Sequence, residues 1–136
     1  MISGGNVTVV VSDMDAAVNF YTNVLAMKLT NRFGNHWATV DAGRGLVIGL
    51  HPASAKYPAP GTKGSMMIGL EIDEPIEAVI DRLQRRGVRF NGSIVKAEPG
   101  NWASFDDPDG NAIYLWEVNR EVIPETEFAG AGAARP

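Results

Sequence analysis

Two side chains of this 136-residue sequence, His51 and Tyr114, are the best suited to chemistry. An imidazole exchanges a proton near neutral pH, so His51 is a candidate general base or hydrogen-bond partner. Tyr114 is a candidate acid, or a hydroxyl group that orients a carbonyl. The alternative for each is structural. His51 would be held by a local hydrogen bond before Pro52 at a strand end, and Tyr114 would only line a site.

Groups that bind metals do not converge on one predicted face. The second histidine, His36, follows Asn35 at the start of a strand and is expected at an exposed rim. A metal site would need both histidines together with Glu71 or Glu117, and the predicted faces of these residues differ. The sequence therefore predicts no metal ion and no other cofactor.

The acidic run at 106–111, DDPDGN, looks like a calcium loop at first sight. It lacks the ligand spacing and the closing glutamate of an EF-hand, and its proline and glycine suit a tight turn. We interpret it as a hairpin turn. The sequence also contains no phosphate-binding loop and no nucleophile elbow.

The elements that must position these residues occur twice. The segment 36–52, HWATVDAGRGLVIGLHP, matches the segment 101–117, NWASFDDPDGNAIYLWE, at a constant offset that pairs Trp37 with Trp102. The same offset pairs Gly49 with Tyr114, so the glycine is expected to leave room beside it. Such a match indicates one supersecondary unit used twice.

Each copy has the pattern of a βαβββ module. A helix after the first strand begins at Ser12 or Asp13, which are good N-caps, and Ala26 stands where a glycine usually ends such a helix. In the second copy a helix opens at 73–75 and Gly87 ends it. Alternation and turn residues predict strands at 7–11, 29–33, 36–41 and 46–51, then at 66–72, 88–90 with 94–95, 102–105 and 112–118.

The fold class is therefore α+β, in one domain over residues 1–120. Module one covers residues 5–52 and module two covers 65–118, joined by a proline-rich linker at 53–64. Residues 121–136 form a polar C-terminal tail.

Composition and charge exclude several classes of partner. The net charge is −4 with no large basic cluster, which does not favour nucleic acid. No apolar run approaches the ~20 residues of a membrane span, so no membrane partner is expected. The sequence has no cysteine and its first residues lack a secretion signal, so a soluble cytoplasmic protein is predicted.

Two motifs, VSDMDAAVNFYTNVLAM at 11–27 and FDDPDGNAIYLWE at 105–117, resemble the vicinal oxygen chelate superfamily. That superfamily holds glyoxalase I, bleomycin-resistance proteins, fosfomycin-resistance transferases and extradiol dioxygenases, and the resemblance spans residues 5–118. It implies that the mixed sheets curl into a cup with the helices outside. It also implies a homodimer.

Metal-dependent members of that superfamily place four ligands on the sheets. The matching positions here are Asn6, Gly49, Met67 and Tyr114, none of which is a histidine or a carboxylate. Glycine has no ligating side chain and methionine is too soft for the cations that this chemistry uses. The resemblance therefore implies a metal-free member.

Strand alternation assigns side chains to the interior of the cup. The expected lining is aromatic and sparsely polar, which suits a planar organic molecule, although the tryptophans would equally fill a collapsed core. The predicted ligand-binding residues are Asn6, Thr8, Trp37, Thr39, Gly49, His51, Met67, Trp102, Ser104, Tyr114 and Trp116.

The leading functional hypothesis is a metal-free protein that binds a small organic ligand or antibiotic, resembling the bleomycin-resistance branch. Its role would be to sequester that ligand. The alternative is a lyase, isomerase or dioxygenase-like enzyme that uses His51 and Tyr114 or a relocated metal. A third reading is a domain with a filled cup and only its dimer surface for a partner.

Overall fold

The computed structural model describes residue 1 and residues 6–57, 59–62 and 66–123. These residues form two compact units. The first is Met1–Met66 with Asp107–Asn111, and the second is Met67–Asp106 with Ala112–Pro136. The predicted polar tail at 121–136 lies outside the described residues from 124 onward, as do 58 and 63–64 of the predicted linker. None of the described helices has the length and apolar character needed to span a membrane.

The first unit follows the predicted β-α-β-β-β order. Asp13 caps its helix, since the Asp13 Oδ1 accepts a hydrogen bond of 3.0 Å from the Ala16 amide. Ala26 has a φ of 60°, the left-handed conformation that glycine usually supplies at a helix end. The elements are β1 (Val7–Val11), α1 (Met14–Asn19, continued by a π-helical segment Phe20–Val24), β2 (Lys28–Phe33), β3 (Trp37–Gly43) and β4 (Leu46–Pro52).

The first sheet has the order β1-β4-β3-β2, with β1 parallel to β4 and the other pairs antiparallel. Alternate residues of three strands are fully buried on the face that packs against α1: Val9, Val11, Ala38, Val40, Ile48 and Leu50, with Ala17 and Tyr21 from the helix. The opposite face of this sheet carries the predicted ligand-binding residues of the first unit.

The acidic run at 107–111 is a turn, as predicted, and Asp107 organises it. The Asp107 carboxylate accepts hydrogen bonds from the backbone amides of Asp109 at 2.9 Å and Asn111 at 2.8 Å. It also accepts a 2.8 Å hydrogen bond from the Asn111 side chain and a 2.9 Å hydrogen bond from the Tyr21 hydroxyl. Asp107 is only 5% exposed, so this carboxylate fixes the turn from within the first unit.

Ionisation of Tyr21 should make the protein less stable at high pH. Burial raises the pKa of Tyr21, and the neighbouring Asp107 carboxylate raises it further. The unfolded chain loses this proton near pH 10 and the folded chain keeps it, so the stabilisation is complete below about pH 10 and is lost above it. We expect the free energy of unfolding to fall by about 1.4 kcal/mol per pH unit above that point from this group. Urea unfolding from pH 8 to 11 measures the slope, which should be shallower in Tyr21→Phe and unchanged in Tyr57→Phe.

The second unit repeats the order, and with the first it confirms the α+β class with two βαβββ modules. Its sheet has the order β5-β8-β7-β6, again with one parallel pair between the first and last strands. The turn at 107–111, which the sequence assigns to module two, clusters with the first unit. The elements are β5 (Met67–Glu71), α2 (Ile76–Arg85), β6 (Val95–Ala97), β7 (Gly100–Asp106) and β8 (Ala112–Val118).

The prediction of a strand at 88–90 and 94–95 is wrong for residues 88–90. The Val88 amide donates a 3.0 Å hydrogen bond to the Leu83 carbonyl, so this residue caps the C-terminus of the helix instead. Phe90 makes only an isolated bridge to Phe105, and Gly92, with a φ of 97°, turns the chain away before the strand starts. The ladder with β7 therefore begins only at Val95.

Helix α2 is capped from a distant strand. Pro75 offers no side-chain cap, and the Ile76 amide donates a 2.9 Å hydrogen bond to the Glu117 carboxylate instead. The Asn101 side-chain amide donates a 2.7 Å hydrogen bond to the other oxygen of the same carboxylate. A negative charge at a helix N-terminus is favourable, so Glu117 ties the helix to the sheet of the second unit.

Candidate functional site

Trp37 covers the open face of the first sheet. Its indole lies directly over Gly49, because a Cβ at that position would be 2.3 Å from the Trp37 Cη2 atom. Thr39 and Thr8 pair with Gly49 from the neighbouring strands, and Phe33 lies opposite Trp37 across the hairpin. The expectation that Gly49 leaves room for a ligand is therefore wrong. The Trp37 indole occupies the space that a side chain at this position would fill.

His51 lies beside this indole with a fixed orientation. Its ring centroid is 6.3 Å from that of Trp37 and 4.6 Å from that of Tyr57. The Nδ1 atom is 2.8 Å from the Pro52 carbonyl oxygen. Because a carbonyl only accepts, Nδ1 carries the proton and Nε2 of the neutral ring holds the lone pair.

The other predicted residues of this face differ in how available they are. Thr8 is exposed, and its hydroxyl donates a 3.1 Å hydrogen bond to the Asn6 side-chain oxygen. Thr39 is only 7% exposed, and its hydroxyl is 2.6 Å from that of Thr30. Asn6 and Thr8 can therefore meet a ligand, whereas Thr39 chiefly joins two strands.

The second sheet also carries an aromatic surface. Trp102 and Trp116 are paired across β7 and β8, with ring centroids 5.9 Å apart and planes tilted by 48°. Tyr114, opposite Ser104, lies over Gly69, where a Cβ would be 2.4 Å from the Tyr114 hydroxyl oxygen. A glycine again leaves the space that an aromatic side chain occupies on its sheet.

The predicted residues thus form two groups, one in each unit. Trp37, Gly49 and His51 come together in the first, and Trp102, Tyr114 and Trp116 in the second, where Met67 is 67% exposed. The two candidate catalytic residues belong to different units.

Two aromatic residues of the first unit, Phe33 and Tyr57, lie beside this group but are not among the predicted ligand-binding residues. Phe33 was predictable, because the hairpin around Gly34 sets it opposite Trp37. Tyr57 gave no signal, since it lies in a segment with linker composition.

The residues that the structure describes contain no group of three or more His, Cys, Asp or Glu side chains placed to hold a metal ion. The positions matched to family ligands are two per unit, Asn6 with Gly49 and Met67 with Tyr114. The donor chemistry of these residues does not fit a hard divalent cation.

We therefore expect less than about 0.1 equivalent of metal per chain after incubation with Ni²⁺, Zn²⁺, Mn²⁺ or Fe²⁺ and desalting. Elemental mass spectrometry of untagged protein measures this. Near-stoichiometric retention would contradict the prediction and indicate a relocated site, which His36→Phe and His51→Phe would locate.

A recess of about 310 Å³ in the second unit includes none of the predicted site residues. The carboxylate in its wall, that of Glu117, already accepts hydrogen bonds from Ile76 and Asn101. Its lining is Ala97, Gly100, Asn101, Glu117, Val118 and Asn119.

Known proteins with this architecture share both the fold and the sequence pattern. The family model of the Glyoxalase/Bleomycin resistance protein/Dioxygenase superfamily matches residues 5–115. The chain belongs to this superfamily. No curated protein matches it significantly.

Solved structures of that superfamily are similar over most of the chain. TnmS3, an antibiotic binding protein from Streptomyces sp. CB03234, is 31% identical with a TM-score of 0.73, covering 88% of this chain and 98% of its own. A glyoxalase/bleomycin resistance protein from the same organism is 32% identical with a TM-score of 0.69, covering 85% and 100%. Lactoylglutathione lyase from Agrobacterium tumefaciens, at 16% identity and a TM-score of 0.68, covering 86% and 94%, shares the fold alone.

Proposed function

We propose that the protein binds a planar organic molecule, in the manner of an antibiotic-binding protein, and returns it chemically unchanged. The observation that carries the proposal is the Trp37 indole held over Gly49 beside His51 and Tyr57. The similarity to TnmS3, which is described as an antibiotic binding protein, supports the same reading.

The position of Trp37 supports a role as a stacking platform. The end of the indole packs against Gly49, and Trp37 remains partly exposed. A planar ligand that stacks on its free side buries apolar area without first ordering a flexible side chain. Binding of this kind is favoured because the platform is already in place before the ligand arrives.

Polar groups around the platform are few and give direction rather than strong attraction. The described neighbours of Trp37 on this face supply the His51 imidazole and the Thr8 hydroxyl with Asn6 beside it. Small-molecule sites commonly have this composition, mostly apolar with a few placed polar groups. The expected ligand is therefore aromatic and only mildly polar.

Tryptophan fluorescence tests the proposal. The chain has three tryptophans, and planar antibiotics and metabolites should quench their emission with a saturable curve that ends near one ligand per chain. Chromatography of the recovered ligand should show no product. Quenching that stays linear with ligand concentration for every planar compound would contradict binding.

Catalysis is the second candidate, because the Nε2 lone pair of His51 is available to a substrate as a base. An enzyme would form product at a rate that His51→Ala abolishes while ligand binding is kept. A binder would show no product in either protein. The homodimer, the cytoplasmic location and sequestration as the cellular role remain predictions.

A further inference from the structure

The imidazole of His51 is restricted to one hydrogen-bonding pattern. Its Nδ1 proton is donated to the Pro52 carbonyl at 2.8 Å. Among the residues that the structure describes, none hydrogen-bonds to Nε2. The neutral ring therefore presents a hydrogen-bond acceptor, and no donor, at its outer nitrogen.

Two aromatic rings lie next to this acceptor. Trp37 and Tyr57 have their centroids 6.3 Å and 4.6 Å from that of His51, both at an angle to the imidazole plane. A planar ligand stacked parallel to the Trp37 indole is therefore inclined to the imidazole and does not stack on it at the same time. The contact that remains available to Nε2 is a hydrogen bond from a donor group on such a ligand.

We propose that His51 Nε2 determines specificity by selecting planar ligands with a hydroxyl group on the ring edge, that is, phenols or enols. This inference rests on the proposed function. A phenolic O–H donates to the imidazole lone pair, whereas an ether oxygen only accepts and leaves Nε2 without a partner.

The test compares 2-naphthol with 2-methoxynaphthalene, two probes of nearly equal shape that differ in this donor. Titration calorimetry at about pH 8, where a free imidazole is neutral and naphthol is protonated, gives the two Kd values. For the wild-type protein we expect 2-naphthol to bind about threefold to tenfold more tightly, the size of one net hydrogen bond.

Two phenylalanine variants make the comparison specific. His51→Phe keeps a planar ring but removes Nε2, so its two Kd values should become equal. His36→Phe changes the only other histidine, which is exposed in the turn after β2, and should keep the wild-type preference.

The outcomes separate this inference from the function on which it rests. Equal binding of both probes to the wild-type protein, or a preference that persists in His51→Phe, would overturn the role of His51 and leave planar-ligand binding standing. If neither probe binds saturably to any of the three proteins, the platform at Trp37 fails as well.

Discussion

Asp107→Ala should lower the free energy of unfolding by about 3–5 kcal/mol, the largest stability effect that we predict. The substitution removes the acceptor of four hydrogen bonds at a position that is 5% exposed. The Tyr21 hydroxyl and two backbone amides would be left without their partner inside the first unit. Urea unfolding followed by circular dichroism measures the change.

The adjacent Asp106 provides the matched control. It is exposed, and its side chain accepts one 3.2 Å hydrogen bond from Asn91. Asp106→Ala should therefore change the unfolding free energy by less than about 1 kcal/mol. Similar losses in the two variants would show that the Asp107 carboxylate does not organise the turn.

Trp37→Ala should weaken binding of a planar ligand by about 30-fold or more, the largest functional effect that we predict. Removal of the indole exposes Gly49 and takes away the aromatic ring that packs against it. The ligand would lose its stacking partner, so the change should appear mainly as faster dissociation. Fluorescence of the ligand or calorimetry measures the affinity, since tryptophan emission itself changes in this variant.

Leu29→Ala is the control for this effect. Leu29 is 41% exposed on the same sheet but pairs with Val40, whose side chain lies on the face toward helix α1. Its removal should leave the affinity within about twofold of wild type. Trp116→Ala tests the second aromatic surface in the same way. Unchanged affinity in Trp37→Ala, with the fold intact, would show that the ligand does not stack on Trp37.

Local patterns predicted the order of elements and the faces of the strands. The two matching segments and the β-branched runs carry this information in neighbouring residues, so the βαβββ order follows from spacing alone. The helix cap at Asp13 and the left-handed Ala26 were predictable for the same reason.

Contacts between distant residues were beyond such patterns. Tyr21 and Asp107 are 86 positions apart, and the Glu117 carboxylate caps a helix 41 positions before it. Nothing local distinguishes Asp107 from Asp106 or Asp109 before the fold brings Tyr21 to it. The site shows the same limit, because a glycine where the other repeat has a tyrosine suggests empty space, and the sequence does not show that Trp37 occupies it.

Nuclear magnetic resonance of the ¹⁵N-labelled protein tests the central claim most directly. With a planar compound that saturates the fluorescence titration, the indole N–H signal of Trp37 and the amide signals of Gly49 and His51 should shift together until about one equivalent is bound. Amides of helix α2 should stay in place. Saturable shifts confined to other residues, with the Trp37 signal unmoved, would contradict ligand binding at this platform.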